Sequence, residues 1–312
     1  MTEKVTVLGA GTMGHGIAQL YAQAGYDVYM YDIKSEFLEK AMTRITDNLD
    51  MLIQENSIAA SEKESILKRI STTTDLKEAV SGTRFVTEAV SENLPIKFDL
   101  FKQLEEVIDD DTIIASNTST FSIQQLSEGV EKKDRLLITH FFNPAHLVPL
   151  VEVVKGPETS QTIVDRTVEV LRNIGKEPVV LKKDIPGLIA NRLQAALVRE
   201  AFYLLDNGIA DAEDIDLAIT AGPGFRWAFI GPLETADFGG LDIWKSVVEN
   251  LAPVLSNEEK IPSFVEDKIQ SGNLGTKTGN GIFTYSGDEE VRRRILERDE
   301  NFVRLSSIKN NK

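Results

Sequence analysis

The feature that most constrains the fold is a glycine-rich segment near the start of the chain. It follows an apolar run at residues 5–8, opens an amphipathic stretch, and reads Gly9-Ala10-Gly11-Thr12-Met13-Gly14. A second apolar run covers residues 27–31 and is followed directly by Asp32. This order of strand, glycine turn, helix, strand and acid is typical of a βαβ unit that binds a dinucleotide.

Each residue type in this segment has a physical role. Gly9 permits the tight turn, Gly11 lets the backbone approach a pyrophosphate, and Gly14 lets the helix pack on the strand. The phosphates would lie on free N–H groups at the helix N-terminus, where the dipole favours anions. Asp32 can accept hydrogen bonds from both ribose hydroxyls and would repel a 2′-phosphate, so NAD is predicted over NADP. The predicted cofactor-binding residues of this segment are Gly9, Gly11, Thr12, Met13, Gly14 and Asp32.

Length, charge and composition narrow the class of protein. A chain of 312 residues is long for one core, which favours two domains. The net charge of −15 argues against nucleic acid and anionic membranes as partners, and no run approaches the roughly twenty apolar residues that span a bilayer. The chain has no cysteine, and residues 1–4 leave no room for a signal peptide. We therefore expect a cytoplasmic enzyme that acts on a small molecule.

The first part of the chain alternates between strand and helix patterns, which predicts a mostly parallel sheet covered by helices on both faces. Residues 35–70 are polar and helix-periodic, and we interpret them as an inserted helical hairpin with Ser61 and Glu64 as a capping box. Further strands are predicted at residues 84–89, 112–115, 136–141, 148–154 and 179–181, and helices at 96–107 and 160–174. We assign residues 1–186 to this α/β, Rossmann-type domain.

The predicted secondary structure changes at residues 183–187, from alternating strands and helices to helices alone. Beyond them only helical periodicity is found, beginning with a long apolar stripe that ends at Asn207-Gly208, a C-cap signal. Further helices are predicted at residues 211–220, 233–251 and 289–298. The sequence therefore predicts an all-α C-terminal domain over residues 187–312.

His140 is the best candidate for a catalytic base. Oxidation of an alcohol by NAD requires a base for the hydroxyl proton, and an imidazole titrates near neutral pH. His140 ends an apolar strand, at the sheet edge where ligands bind in such folds, and Glu152 on the neighbouring strand could bond its far ring nitrogen. The chain has only three histidines, at dispersed positions, so no metal site is predicted.

Several further motifs occur in a fixed order along the chain. They are Thr87-Glu88-Ala89-Val90-Ser91-Glu92-Asn93, Ser116-Asn117-Thr118-Ser119, His140-Phe141-Phe142-Asn143-Pro144, Val151-Glu152-Val153, Ile185-Pro186-Gly187 with Asn191-Arg192, and Lys277-Thr278-Gly279-Asn280-Gly281. With the glycine segment, they make the chain resemble the L-3-hydroxyacyl-CoA dehydrogenases over residues 6–285.

The resemblance implies an N-terminal dinucleotide fold, a helical C-terminal domain through which members usually form homodimers, and specific site residues. His140 and Glu152 match the family's catalytic pair, and Ser119 and Asn191 its contacts to the substrate oxygen. Glu92, Lys97 and Asn117 match residues near the nicotinamide end of NAD. The resemblance thus implies oxidation of a short-chain L-3-hydroxyacyl-CoA, a reaction of fatty acid metabolism.

Two features of the sequence favour a different substrate. Family contacts to CoA come partly from the helical hairpin, and an ungapped count places the family's Ser and Lys there on Asn48 and Glu55, in an acidic helix. Residues 224–235 are also similar to the lambda-crystallin, L-gulonate 3-dehydrogenase and L-carnitine dehydrogenase branch, and Arg226 could hold a substrate carboxylate. A free 3-hydroxy acid is therefore an alternative substrate, and a catalytically silent NAD-binding structural protein is an alternative of another class.

Overall fold

The computed structural model describes the backbone of residues 3–310 and the side chains of residues 3–309. Backbone contacts divide the chain into two compact units. The first contains the described residues up to Ile189 together with Asp299–Ser307, and the second contains Ala190–Arg298 and the described residues after Ser307. The sequence-based division assigns all of residues 187–312 to the second domain, whereas the structure places residues 187–189 and Asp299–Ser307 in the first unit.

The first unit is built on an eight-stranded sheet with the strand order β3-β2-β1-β4-β5-β6-β7-β8. All neighbouring strands are parallel except β6 and β7, which are antiparallel. The strands are β1 (Lys4–Leu8), β2 (Asp27–Tyr31), β3 (Ile70–Thr73), β4 (Phe85–Glu88), β5 (Ile113–Ser116), β6 (Leu136–Phe141), β7 (Leu150–Lys155) and β8 (Glu177–Val180). This topology confirms the predicted Rossmann-type fold.

The core lies on both faces of this sheet, as expected for parallel strands that are covered by helices on each side. Successive residues of β1 point to opposite faces: Val5 and Val7 belong to one buried cluster, and Leu8 belongs to the other. The helices of the first unit are α1 (Gly14–Gln23), α2 (Ser35–Gln54), α3 (Lys63–Lys68), α4 (Leu76–Val80), α5 (Leu94–Glu105), α6 (Ile123–Ser127) and α7 (Gln161–Asn173).

The strand order reverses between β1 and β4, and this reversal locates the ligand-binding edge. In open α/β sheets, ligands bind outside the carboxyl ends of the strands at such a switch point. The glycine segment follows β1, Asp32 follows β2, and Glu92 lies in the connection that follows β4. Predicted cofactor-binding residues from the connections after β1, β2 and β4 therefore lie at the same edge of the sheet.

The region around the helical hairpin departs from the predicted pattern. The Ser61–Glu64 capping box is wrong, because Ser61 lies inside a 3₁₀ turn at Ala60–Glu62 and the Glu62 carboxylate accepts a hydrogen bond from Ala59 N at 2.7 Å instead. The strand β3 and the short helix α4 were not predicted at all. Only Ile70 of β3 is fully buried, so this edge strand carries no apolar alternation that would reveal it.

The second unit is all-α, as predicted. Its helices are α8 (Ala190–Asp206), α9 (Ala212–Ala221), α10 (Pro223–Trp227), α11 (Pro232–Gly239), α12 (Leu241–Leu251), α13 (Ser263–Gln270) and the first part of α14 (Asp288–Asn310). The helix predicted over residues 233–251 is two helices, because Gly240 has a φ of 88° and interrupts the helical backbone. Strand pairing within Ala190–Arg298 is limited to isolated bridges that Asn280 forms with Gly275 and Thr284.

The last helix, α14, extends well beyond the predicted residues 289–298. Its later part, which belongs to the first unit, buries Val303 in the core beside the hairpin. Arg304 donates two hydrogen bonds, from Nε and Nη2, to the two carboxylate oxygens of Glu55, each at 2.8 Å. The C-terminal helix thus contributes to the core and surface of the first unit.

Among the described residues 3–310, no helix is long and apolar enough to cross a membrane. The same residues contain no group of three or more His, Asp or Glu side chains that could hold a metal ion.

Candidate active site

The glycine segment has the geometry that a bound dinucleotide requires. Gly9 has a φ of 97°, and a Cβ atom at this position would lie 2.5 Å from the carbonyl oxygen of Ala89. A Cβ atom at Gly14 would overlap the carbonyl oxygen of Gly9, whereas the space around Gly11 is open. Gly9 and Gly14 are therefore needed for the turn itself, and Gly11 leaves room for a phosphate to approach the backbone.

Asp32, at the end of β2, is hydrogen-bonded to the glycine segment. Its Oδ2 atom accepts a hydrogen bond from Ala10 N at 2.8 Å, and Gly9 N donates to the Tyr31 carbonyl at the same distance. These bonds tie the ends of β1 and β2 together. The remaining oxygen of the Asp32 carboxylate can then accept bonds from a ribose.

A cavity of about 670 Å³ opens at this edge of the sheet, a size typical of cofactor pockets. Of the predicted residues, Gly9, Gly11, Thr12 and Asp32 line it, together with Ala89, Val90 and Ser91 from the connection after β4. Met13 and Gly14 lie at the start of α1 instead. The residues present fit a dinucleotide, which supplies a hydride acceptor when it is bound.

Sequence reasoning missed one wall of this cavity. Phe37, Lys40 and Arg44 line it from α2, and Ile96, Asp99 and Gln103 line it from α5. The three positions on α2 are spaced so that they share one face of a helix, next to Asp32 in the sequence. That spacing is the signal in the sequence that could have indicated this wall of the cavity.

Lys97, predicted from the resemblance to lie near the nicotinamide, is fully buried in the structure. Its Nζ atom donates to Glu88 Oε1 at 2.7 Å and lies 3.3 Å from Glu92 Oε2. The Glu88 carboxylate, which is also fully buried, accepts further bonds from Val90 N and Ser116 Oγ. Lys97 thus sits between two carboxylates, which satisfies the usual requirement that a buried charge be paired.

Glu92 is held by the loop that follows β5. Its Oε1 atom accepts hydrogen bonds from Thr118 Oγ1 at 2.5 Å, Ser119 N at 2.9 Å, Thr120 N at 3.0 Å and Thr120 Oγ1 at 2.8 Å. Burial, the largest single effect, raises the pKa of Glu92. The bonds from Thr118, Thr120 and Ser119, with the charge of Lys97, outweigh it, so the pKa lies below its ordinary value.

Asn117 joins the same region to the strand that carries His140. Its Oδ1 atom accepts a hydrogen bond from Phe141 N at 2.9 Å, and its backbone N–H donates to the Glu88 carbonyl at 2.7 Å. The roles of Glu92, Lys97 and Asn117 as cofactor contacts remain predictions.

His140 and Glu152 face each other across the antiparallel pair of β6 and β7. They are direct partners in the ladder, and Glu152 Oε2 lies 3.0 Å from His140 Nδ1. Both side chains are buried. Because a carboxylate can only accept, this bond requires the proton on Nδ1, which leaves the Nε2 lone pair of a neutral imidazole available as a base.

Ser119 lies on the open side of His140. Its Oγ atom is 3.1 Å from His140 Nε2, and the residue is exposed. On the other side, Glu152 Oε1 accepts a hydrogen bond from Ile189 N at 2.8 Å. The structure therefore brings together three of the four predicted catalytic residues in the order Ser119, His140, Glu152, which is the geometry of an oriented general base.

The other two predicted substrate contacts belong to the second unit. Asn191 is the second residue of α8 and is half-buried, and Arg226 lies in α10 and is exposed. Their roles toward the substrate remain predictions.

Two family models match the chain. The NAD-binding domain of 3-hydroxyacyl-CoA dehydrogenase matches residues 4–185, and the C-terminal domain of the same family matches residues 187–285.

Individual relatives span nearly the whole chain. A mitochondrial hydroxyacyl-coenzyme A dehydrogenase from Sus scrofa is 39% identical over 91% of this chain and 92% of its own length. A lambda-crystallin from Oryctolagus cuniculus is 37% identical over 98% of this chain and 96% of its own. The crystal structure of 5-formyl-3-hydroxy-2-methylpyridine 4-carboxylic acid 5-dehydrogenase, an NAD⁺-dependent dismutase, has a TM-score of 0.91 and 35% identity, covering 99% of this chain and 98% of that one.

These matches extend across both units and agree with the NAD site and the oriented histidine that the structure contains. The chain belongs to the 3-hydroxyacyl-CoA dehydrogenase family and is an NAD-dependent oxidoreductase that acts on a hydroxyl group.

Proposed function

We propose that the chain oxidises the hydroxyl group of a small free hydroxy acid with NAD, and that His140 is the catalytic base. The single observation that carries the choice of substrate is the Glu55–Arg304 pair. It occupies, with a glutamate bonded to the C-terminal helix, the hairpin position where the resemblance implies a lysine that contacts CoA.

His140 performs the proton transfer in this proposal. Its Nε2 atom accepts the proton of the substrate hydroxyl, and a bound NAD would accept the hydride from the carbon that carries this hydroxyl group. Glu152, bonded to Nδ1, stabilises the imidazolium that forms, and it keeps the ring in the correct tautomer beforehand. Ser119 Oγ, which lies 3.1 Å from Nε2, marks the position where the substrate oxygen is held.

The charges of the hairpin support a free acid over a CoA ester. Acidic residues outnumber basic ones over residues 35–70. Lys63 is paired with Asp50, Lys68 with Glu64 and Arg304 with Glu55, so these pairs carry no net charge and leave no excess cation for a phosphate. A CoA ester carries several phosphate charges, and a surface of this kind offers them little attraction.

A short-chain L-3-hydroxyacyl-CoA is the second candidate substrate. It is favoured by the motifs Ser116-Asn117-Thr118-Ser119 and His140-Phe141-Phe142-Asn143, which follow the acyl-CoA enzymes of the family more closely. The chemistry at His140 is the same for both substrates. A silent NAD-binding structural protein is disfavoured because the Ser119–His140–Glu152 geometry is intact.

One pair of assays separates the two substrates. NADH consumption is followed with acetoacetyl-CoA, and NAD reduction is followed with free L-gulonate, L-carnitine and L-3-hydroxybutyrate, each at matched protein concentration. We expect kcat/KM for a free acid to exceed that for the CoA ester. Faster turnover of the CoA ester would reject the free-acid proposal and leave the acyl-CoA assignment.

We also propose that the protein is a homodimer formed through its second unit. The helices α8, α12 and α13 contain no buried residue in the single chain. Large apolar side chains of this unit are strongly exposed, including Leu233 at 84%, Phe238 at 74% and Phe225 at 73%. Exposed apolar surface on this scale is typical of an interface between subunits.

A further inference from the structure

We infer that Arg44, on α2, is a cofactor-binding residue that holds the diphosphate of NAD against the glycine segment. That segment, residues 9–14, supplies backbone N–H groups and the N-terminus of α1 for the diphosphate, but it contains no basic side chain. Arg44 would supply the positive charge from a second helix. The inference concerns the cofactor alone and holds for either candidate substrate.

Arg44 lines the same cavity as the glycine segment. It shares one face of α2 with Phe37 and Lys40, because side chains three, four and seven residues apart lie on the same side of a helix. Gly11 and Thr12 of the glycine segment line that cavity as well. The predicted phosphate-binding turn and an arginine therefore face one space from two different helices.

A second observation places the charge of Arg44 near the N-terminus of α1. His15 lies in the first turn of this helix, and its Nδ1 atom is 2.9 Å from the carbonyl oxygen of Gly11. Burial, the largest effect, lowers the pKa of His15. The hydrogen bond with Gly11 raises this pKa, the charge of Arg44 lowers it, and the pKa ends below its ordinary value. The field of Arg44 thus reaches the turn that would receive the diphosphate.

Neither of the other two basic side chains near this turn supplies the charge. Because the pKa of His15 lies below its ordinary value, its imidazole is neutral at pH 7. Lys40 lines the cavity but forms an ion pair with Glu36, one turn earlier in α2. Within residues 3–309, whose side chains the structure describes, Arg44 is the one cation lining this cavity that forms no ion pair.

The remaining charges make such a cation necessary. The diphosphate of NAD is dianionic, whereas Asp32 and Asp99, which also line the cavity, are acids. The whole chain has a net charge of −15, so its overall field does not attract an anion. A helix N-terminus contributes only about half a positive charge. A guanidinium adds a full charge and can donate two parallel N–H···O bonds to a phosphate.

The exposure of Arg44 sets the size of the expected effect. Its side chain is exposed to solvent, so binding must order a long side chain and the ion pair is partly screened by water. The gain is therefore smaller than that of a buried pair. We expect removal of the charge to weaken NADH binding by about five- to tenfold.

The experiment compares the Kd values of three probes for the intact chain, in the absence of substrate. NADH and ADP-ribose contain the diphosphate, and adenosine, measured by its competition with NADH, does not. In Arg44→Met the Kd values of NADH and ADP-ribose should rise by the same factor, about five- to tenfold, because both lose the same contact. The Kd of adenosine should stay within about twofold of wild type, because adenosine carries no phosphate.

Two further variants separate the charge from its geometry and its position. Arg44→Lys keeps a point charge without the paired N–H groups, so its Kd for NADH should lie between those of wild type and Arg44→Met. Arg172→Met removes an exposed arginine from the end of α7 and is the matched control, which should change none of the three Kd values. Because Arg44 is exposed, the midpoint of thermal unfolding should be the same in all variants.

Three results would overturn the inference. Unchanged Kd values of NADH and ADP-ribose in Arg44→Met would show that Arg44 does not contact the cofactor. An equal loss of affinity for adenosine would place Arg44 at the adenosine end instead. A higher KM for the substrate that wild type oxidises, with an unchanged Kd of NADH, would make Arg44 a substrate contact. The binding measurements require no substrate, so failure here is distinguishable from failure of the proposed reaction.

Discussion

His140 and Glu152 are cross-strand partners at one position of the antiparallel β6–β7 ladder, with Glu152 Oε2 3.0 Å from His140 Nδ1. Among the described strands of the sheet, β6 and β7 form the only antiparallel pair. Side chains directly opposite each other in such a pair lie on the same face and close together. The register of two strands therefore fixes the orientation of the His140 ring.

Glu152→Gln should lower kcat by about 10²-fold or more while leaving NAD binding intact. An amide can donate to Nδ1, which would place the imidazole proton on Nε2 and remove the base. Steady-state kinetics and NADH titration measure the two quantities. Glu169→Gln, at an exposed position of α7, is the control, and an unaffected kcat in Glu152→Gln would remove Glu152 from the mechanism.

Asp32→Asn should weaken the preference for NAD over NADP by about tenfold or more. The amide oxygen can still accept the hydrogen bond from Ala10 N, but the charge that repels a 2′-phosphate is gone. Titration of the protein with NADH and with NADPH gives the ratio of the two Kd values. Asp47→Asn, on the exposed side of α2, should leave that ratio unchanged; an equal change in both variants would mean that Asp32 does not select the cofactor.

Lys176 predicts a specific dependence of stability on pH. Its buried Nζ atom donates to the carbonyls of Ala145 and Val148 at 2.7 and 2.8 Å, and burial lowers its pKa from 10.5 to about 7. Between these values the unfolded chain binds a proton that the folded protein does not. The contribution of Lys176 to stability is therefore least favourable below pH 7 and improves as the pH rises above 7.

The free energy of unfolding of wild type minus that of Lys176→Met should consequently increase between pH 7 and pH 9, by about 2 kcal/mol. Urea denaturation at the two pH values measures it. Lys182→Met removes an exposed lysine and serves as the control. A difference that is the same at both pH values would show that Lys176 does not titrate in this range.

Light scattering should give the mass of a dimer at micromolar concentration. Replacement of the strongly exposed Phe238 by Glu should shift the mass toward the monomer, because a charge at an apolar interface is costly to desolvate. Lys182→Glu, a change of charge at an exposed position of the first unit, is a control for charge alone. A monomeric mass for the wild-type protein would reject the proposal that it is a homodimer.

Much of the first unit could be predicted because its signals are local. β2 and β6 have the bounds that apolar runs indicate, and the glycine segment occupies the predicted turn. β3 was missed because an edge strand of mostly exposed hydroxyl residues has no buried face to produce a pattern. The long course of α14 was missed because Val303 is buried against residues distant in the sequence.

The candidate site likewise has parts that the sequence could predict and parts that it could not. The pairing of His140 with Glu152 followed from motifs and from neighbouring strands, and the structure contains it. The burial of Lys97 between Glu88 and Glu92 could not be read from the sequence, since it depends on how β4, α5 and the loop after β5 converge. Tertiary contacts of this kind decide whether a polar residue meets a ligand or another side chain.

The most direct measurement is the turnover of His140→Gln beside its affinity for NADH, with a hydroxy acid or ester that wild type oxidises. A general base contributes about 10²–10⁴-fold, so kcat should fall by that factor while the Kd of NADH stays close to the wild-type value. Retained turnover in His140→Gln would contradict the assignment of His140 as the base.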